Sequence, residues 1–412
     1  MSLEFFLKDI KTMSNLRCGK FGPYIDAYAQ RLRDNGYNNE VACLQIRLIG
    51  DFERWLNKQH VPIAEITLSH INRFARNRGR RRAPTGCDVS APTNFLDFLL
   101  EIGAITTPGR NKNLSLHDSM LESFRQYMIQ ERANALSTVT NYQPFIRDFL
   151  EQRFASSNTL NYEALAAGDV VRFVQRHADR YGKRAKLMVS ALRAFFRFLQ
   201  YKGHTRIDLS STVPSVAQWS RASLPQAISP DQIERVISSR QGLTAVKRRD
   251  LAMLLLLARL GLRAGEVVSL RLEDIDWRQG CITVRGKGGT ATRMPLPEEV
   301  GRALAEYVSK ARPKTKLRSL FLSVRAPIRA LKPASLSTRV MTAFDELGIS
   351  SPKRGAHTFR HSLATNMLRS GCSLAEIAEL LRHRSTQTTE VYAKVDINAL
   401  RELALRWPGG AQ

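Results

Sequence analysis

Phe95-Leu96-Asp97-Phe98-Leu99-Leu100-Glu101-Ile102-Gly103 is matched, at an offset of 100, by Phe195-Phe196-Arg197-Phe198-Leu199-Gln200-Tyr201-Lys202-Gly203. In both stretches the apolar residues fall three and four apart and a glycine closes the run, as in an amphipathic helix stopped at its C-terminus. Upstream, Ile71-Asn72-Arg73-Phe74 matches Val170-Val171-Arg172-Phe173 at an offset of 99, and Trp55-Leu56 matches Phe149-Leu150 at 94. Anchors in a fixed order with a drifting offset describe two diverged copies of one small helical unit that differ in loop length. Two copies are too few for a solenoid, so the pattern predicts tandem helical domains.

Breaks in the pattern mark the boundaries. The polar stretch 106–113 with its Pro108-Gly109 pair separates the copies, and a Ser- and Pro-rich stretch, 208–230, follows the second. Ser229, Pro230 and Gln232 then form a capping box that opens a new helix. Three domains are expected: 1–110 and 111–215, both helical and DNA-binding, and a mixed domain over 222–412. In the last, Leu251–Leu260 reads as a buried helix, and Ile275–Trp277, Cys281–Arg285 and Ala291–Pro295 as strands. The last two strands are joined as a hairpin through Gly286-Lys287-Gly288-Gly289. Helices return from about Ser335, Gly371 stops one of them, and Ser373 with Glu376 caps the next.

Lys and Arg number 63 against 37 Asp and Glu, a formal charge of +26 over 412 residues. Ordinary soluble domains sit within about eight charges of zero, so this surplus points to a polyanionic partner, nucleic acid first. It is concentrated in matching places. Arg73, Arg76, Arg78, Arg80, Arg81 and Arg82 precede the last helix of copy one; Arg172, Arg176, Arg180, Lys183, Arg184 and Lys186 precede that of copy two. Guanidiniums clustered at a helix start grip phosphates without reading sequence. The best apolar run, Leu251–Leu257, is too short to span a membrane. Five scattered cysteines without a C-x-x-C pair, and an opening Met1-Ser2-Leu3-Glu4 unlike a secretory signal, predict a reducing, cytoplasmic setting and no membrane.

The mixed domain carries basic residues in a fixed order before one tyrosine. They are Arg263 in Gly261-Leu262-Arg263-Ala264-Gly265-Glu266, Lys287 at the hairpin tip, and His357 with Arg360 in His357-Thr358-Phe359-Arg360. His383 follows in Leu381-Arg382-His383, then Tyr392 in Glu390-Val391-Tyr392-Ala393. Simpler readings fall away: Gly286-Lys287-Gly288-Gly289 lacks the spacing of a nucleotide-binding loop, and the His357/His361 pair has no further ligand in its motif for a metal. The order and flanks, including Arg293-Met294-Pro295-Leu296 after the hairpin, resemble the tyrosine recombinase (phage-type integrase) family.

That resemblance implies a catalytic domain over 222–412, ending in a tail helix, Ile397–Trp407, that docks on a neighbouring protomer. It makes the second helical copy a core-binding-like domain. The implied reaction breaks and rejoins DNA strands through a 3′-phosphotyrosine and a Holliday junction, with no cofactor and no metal. Arg263 and Arg360 would clamp the non-bridging oxygens, since paired guanidinium donors hold the charge of a pentavalent transition state. A free tyrosine titrates near pH 10, so its proton needs an acceptor; His357 takes it by resemblance. Lys287 would protonate the leaving 5′ oxygen, His383 would donate to a non-bridging oxygen, Tyr392 would attack, and Glu266 would buttress the arginines. Arg78, Arg80, Arg81, Arg82, Lys183, Arg184, Lys186 and Arg293 are the expected DNA contacts.

The implied partner is double-stranded DNA with inverted half-sites, bound by a homodimer at each site and a tetramer in the synapse. Partner recombinases and accessory DNA-bending proteins stay open, as do target site and reaction outcome; a mobile element is the expected source. The extra N-terminal copy is expected to read an outer part of each half-site. The family usually has glycine before the second histidine, and Arg382 stands there instead. The other readings are a type IB topoisomerase-like relaxase, which needs no preferred site, and a non-catalytic DNA-binding regulator.

Overall fold

The computed structural model describes residues 3–79, 85–105, 116–154, 161–216, 227–286, 290–351 and 354–382. The chain divides into two compact units, Met1–Ile102 with Leu224–Gln412, and Gly103–Ser223. The architecture is helical throughout the first half and α+β in the second. No described helix is long and apolar enough to cross a membrane.

In the first unit a short helix, α1 (Ile10–Arg17), precedes α2 (Gly22–Asp34), α3 (Asn39–Lys58), α4 (Leu68–Gly79) and α5 (Cys87–Glu101). The second unit holds α6 (Leu116–Gln126), which continues into a π-helical turn at Tyr127–Glu131, then α7 (Leu136–Arg153), α8 (Ala167–Tyr181) and α9 (Ala185–Tyr201). Each set of four helices closes over an aromatic triad. Tyr28 lies edge-on to Phe95 at 5.0 Å, and Phe124 edge-on to Phe195 at 5.6 Å. Tyr28 to Phe98 and Phe124 to Phe198 are both 5.5 Å, and Phe95–Phe98 and Phe195–Phe198 are both 6.1 Å. Edge-to-face rings satisfy the quadrupole of each face and lock the relative rotation of the helices that carry them.

The mixed α+β region begins with α10 (Pro230–Ser239), capped by Ser229 and Gln232, then α11 (Ala245–Arg259) and α12 (Ala264–Ser269). A three-stranded antiparallel sheet follows in the order β1 (Ile275–Asp276), β2 (Cys281–Arg285), β3 (Ala291–Pro295). Ile282 pairs with Met294 and Val284 with Thr292, so Ile282, Val284 and Met294 are buried while Arg285 faces out. Four helices complete it: α13 (Glu298–Lys310), α14 (Pro333–Glu346), α15 (Ala356–Arg369) and α16 (Leu374–Leu380). The core forms around α11, where Leu254–Leu257 are all buried, with Tyr307, Phe321, Phe344 and Phe359 packed about it. Within this unit the backbone N–H of Ile328 donates to the carbonyl of Asn35 at 2.9 Å, joining the α13–α14 connection to the turn after α2.

The expected hairpin strands Cys281–Arg285 and Ala291–Pro295 are found with those limits. The first strand is one residue shorter than expected, because Trp277 turns out to solvent, 50% exposed. The linker 106–113, residues 217–226 of the break before Pro230 and the expected tail helix lie outside the described residues.

Candidate active site

The site is built where the chain leaves α11. Gly261 takes a φ of +58°, and a Cβ on it would stand 2.7 Å from Leu381 Cδ2 and 3.0 Å from Leu363 Cδ2. Only glycine meets both demands. Two residues later Arg263, in extended conformation, is the N-cap of α12. Glu266, at the third position of that helix, reaches back: its Oε2 accepts the Arg263 N–H at 2.9 Å and its Oε1 accepts Arg263 Nη1 at 2.7 Å. The Glu266 side chain is 5% exposed and that of Arg263 is 36% exposed, so the carboxylate sits behind a partly open guanidinium.

α15 supplies the next two residues. His357 is exposed in its first turn, and Arg360, one turn on, is buried. Arg360 Nη1 donates to the Gly261 carbonyl at 2.6 Å, and Nη2 donates to the Leu381 carbonyl. These charge-assisted bonds, each stronger than a neutral one, fasten the segment before Arg263 and the turn before His383 to the same guanidinium.

α16 is stopped by Leu381 as its cap, and Arg382 follows with a φ of +52°. That is the position at which helices favour glycine, because an L-residue there costs about 1–2 kcal/mol. Arg382 turns its side chain inward. Nη2 donates to Glu266 Oε2 at 2.9 Å, Nη1 donates to the Leu380 carbonyl at 3.3 Å and lies against Met294 Sδ, and only 11% of the side chain is exposed. Glu266 thus accepts from two guanidiniums. Burial pushes its pKa up, but the Arg263 hydrogen bonds and the charges of Arg382 and Arg263 outweigh this and hold it below the ordinary carboxylate value. Burial likewise draws Arg382 below the usual arginine value, against the pull of Glu266.

Arg263, Glu266 and Arg360 are therefore brought together, with His357 one turn from Arg360. Lys287, His383 and Tyr392 lie outside the described residues. On either side of residues 287–289, Gly286 N–H donates to the Thr290 carbonyl at 2.8 Å.

Comparison with known proteins follows the same outline. The sequence profile of the Phage integrase family matches residues 226–398, and that of its N-terminal SAM-like domain matches 121–203. The protein y4rA of Sinorhizobium fredii (strain NBRC 101917 / NGR234), named an integrase/recombinase, is 40% identical over 100% of both chains. Tyrosine recombinase XerD of Listeria monocytogenes (serotype 4b, strain F2365) is 30% identical over 69% of this chain and 97% of its own.

The chain belongs to the tyrosine recombinase (phage integrase) family.

Solved structures share the fold of this recombinase family member. XerH site-specific recombinase bound to palindromic difH superposes with a TM-score of 0.56 at 21% identity, over 70% of this chain and 84% of its own. A lambda integrase dimer bound to a COC′ core site gives 0.50 at 18%, over 66% and 94%.

The basic residues singled out in the sequence are placed unequally. In the first unit, Arg78 sits between carboxylates, against Asp51 and 3.2 Å from the buried Asp88, so its charge is matched within the domain. Arg80, Arg81 and Arg82 lie outside the described residues, as does the side chain of Lys183. In the second unit Arg184 is exposed with its guanidinium 4.9 Å from the Phe145 ring, and Lys186 is exposed in the first turn of α9. Arg293, on β3, pairs with Asp276 at 3.1 Å and with Gln279.

A basic cleft missed in the sequence lies between the π-helical turn and α9. Arg132, Asn134, Tyr142, Ser190, Arg193 and Arg197 surround about 290 Å³. Its signal was present in the helical spacing of Arg193 and Arg197, hidden by the aromatic run between them. The residues of α5 at an offset of 100 are Thr93, Asp97 and Glu101 in place of Arg193, Arg197 and Tyr201.

Proposed function

We propose that this family member is a site-specific recombinase that cleaves DNA with Tyr392, forming a 3′-phosphotyrosine and a free 5′ hydroxyl, and rejoins strands through a Holliday junction. Arg263 and Arg360 grip the non-bridging oxygens, His357 receives the tyrosine proton, Lys287 protonates the departing 5′ oxygen, and His383 donates to a non-bridging oxygen. Glu266 buttresses Arg263. The bond energy is kept in the phosphotyrosine, so the reaction as proposed calls on no nucleotide cofactor.

One observation carries this reading. Arg360 bonds at once to the carbonyls of Gly261 and Leu381, so segments 99 and 21 residues away in sequence meet at one guanidinium.

Residues 1–110 and 111–215 are tandem copies of one core-binding-like unit, and 222–412 the catalytic domain. The support is the aromatic triad repeated with near-equal spacings in α2–α5 and α6–α9. Two protomers occupy inverted half-sites and two such pairs synapse. The second copy faces DNA through Arg184, Lys186, Arg193 and Arg197, whose guanidiniums and ammonium group would meet phosphates.

A nicked suicide duplex drawn from the DNA flanking the gene tests this. A covalent protein–DNA adduct that Tyr392→Phe abolishes supports the reading. No adduct from the native chain favours a non-catalytic binder, and adducts without sequence preference favour a relaxase.

A further inference from the structure

Arg382 is a residue the recombination chemistry does not call for. A guanidinium occupies a left-handed backbone position suited to glycine, is nearly buried, and delivers its Nη2 to the same Glu266 oxygen that accepts the Arg263 N–H. Its Nε is buried with no hydrogen-bond partner among the described residues. The guanidinium faces a carboxylate and a thioether. It also touches three separate parts of the site: Glu266 on α12, Met294 on the strand that leads out of the Lys287 tip, and the Leu380 carbonyl at the end of α16.

We propose that Arg382 is a positioning residue for strand cleavage, holding Glu266, and through it the Arg263 guanidinium, in the pose that meets the scissile phosphate. The proposal rests on the reading of Arg263 as a phosphate ligand. Glu266 alone could tilt toward solvent, taking Arg263 with it. A second cation on the inner side of the carboxylate restrains that tilt, because Oε2 is then held from two elements at once, by the Arg263 N–H at the start of α12 and by the Arg382 guanidinium after α16. The Met294 contact sets the β3 strand in register with the same cluster, so the hairpin base and the arginine clamp share one support.

The test uses full-length protein and the nicked suicide duplex described above. Arg382→Gly suits the backbone and removes the guanidinium. It should leave duplex affinity within twofold while slowing adduct formation at saturating enzyme tenfold or more. Arg382→Lys, which keeps one donor, should recover part of that rate. Glu266→Gln should slow cleavage comparably, and the double variant should be no slower than the slower single one, since both changes release the same guanidinium.

A readout independent of activity is hydrogen exchange at the Arg263 amide, which donates to Glu266. It should quicken in Arg382→Gly with the rest of α12 unchanged. Wild-type cleavage in Arg382→Gly, fully multiplicative losses in the double variant, or unaltered exchange at Arg263 would each overturn the proposal. A loss of affinity with a shallower salt dependence would overturn it in favour of a direct phosphate contact. If Tyr392→Phe still forms adduct, the recombinase reading fails, and the exchange measurement alone decides whether Arg382 positions Arg263.

Discussion

Arg360 donates to the carbonyl of Gly261 at 2.6 Å across 99 residues of chain, and this bond aligns α15 with the start of α12. Arg360→Lys keeps the charge but can serve only one of the two carbonyls. Cleavage by Arg360→Lys should fall by about 10²–10³, the scale of losing one preorganised transition-state donor, while DNA affinity stays close to native. Single-turnover adduct formation beside a binding titration separates the two effects.

The acceptor side of the same bond is equally constrained. Gly261→Ala places a methyl against Leu381 and Leu363 at a positive φ. Strain and overpacking together should cost about 2–4 kcal/mol, seen as a lowered Tm, with a further loss of cleavage as the carbonyl shifts.

Glu266 gives the molecule a defined acid response. Its pKa is lower in the folded chain than in the unfolded one, so it adds stability that is fully present above the ordinary carboxylate range and disappears as pH falls through the folded value. Native protein should exceed Glu266→Gln by about 2–3 kcal/mol at neutral pH, less than a fully buried pair because Arg263 is partly open. That gap should begin to narrow as pH falls into the ordinary carboxylate range, about pH 4, and be lost only below the lower folded value. Urea unfolding of both proteins across pH checks it.

The two copies should answer differently to charge removal. Arg193→Ala and Arg197→Ala in α9 should each weaken DNA binding and reduce the slope of log affinity against log salt by about 1. Asp97→Ala and Glu101→Ala in α5 remove no cation and should not reduce that slope. Footprints supply the companion measurement: the full chain should protect a longer stretch than a chain beginning at Asn113, and equal footprints would remove the outer half-site role.

Truncating the matched rings should have matched costs. Phe98→Ala and Phe198→Ala each remove a buried ring from an aromatic triad and should destabilise their own unit by about 3–5 kcal/mol. Limited proteolysis, read for each unit separately, would show the loss confined to the unit that carries the change.

What the sequence disclosed followed from local physics. The alternation in Cys281–Arg285 and Ala291–Pro295 located both strands, and Ser229 and Ser373 with their partners three residues on marked two helix starts. The full length of α11 was hidden, since it starts at Ala245, before the apolar run. Arg249 and Asp250 look like surface charges, yet they are 2% and 4% exposed; Arg249 donates to the Asp250 carboxylate and, through Nη1, to the Leu322 carbonyl. The Glu266–Arg382 bond spans 116 residues, and such a tie leaves no periodic trace. Family order named the arginines and the histidine of α15; only folding reveals that Arg382 turns toward Glu266.

The shared carboxylate has a bearing on turnover. Two of the site's cations, Arg263 and Arg382, are set against the single negative charge of Glu266. A pocket with every guanidinium bare would cling to substrate and joined product alike, and tight holding of both ends of a reaction adds nothing to its speed. In the proposed reaction, a carboxylate that shelters one cation would keep resting affinity modest and let religated duplex depart, so that the same molecule could be used again.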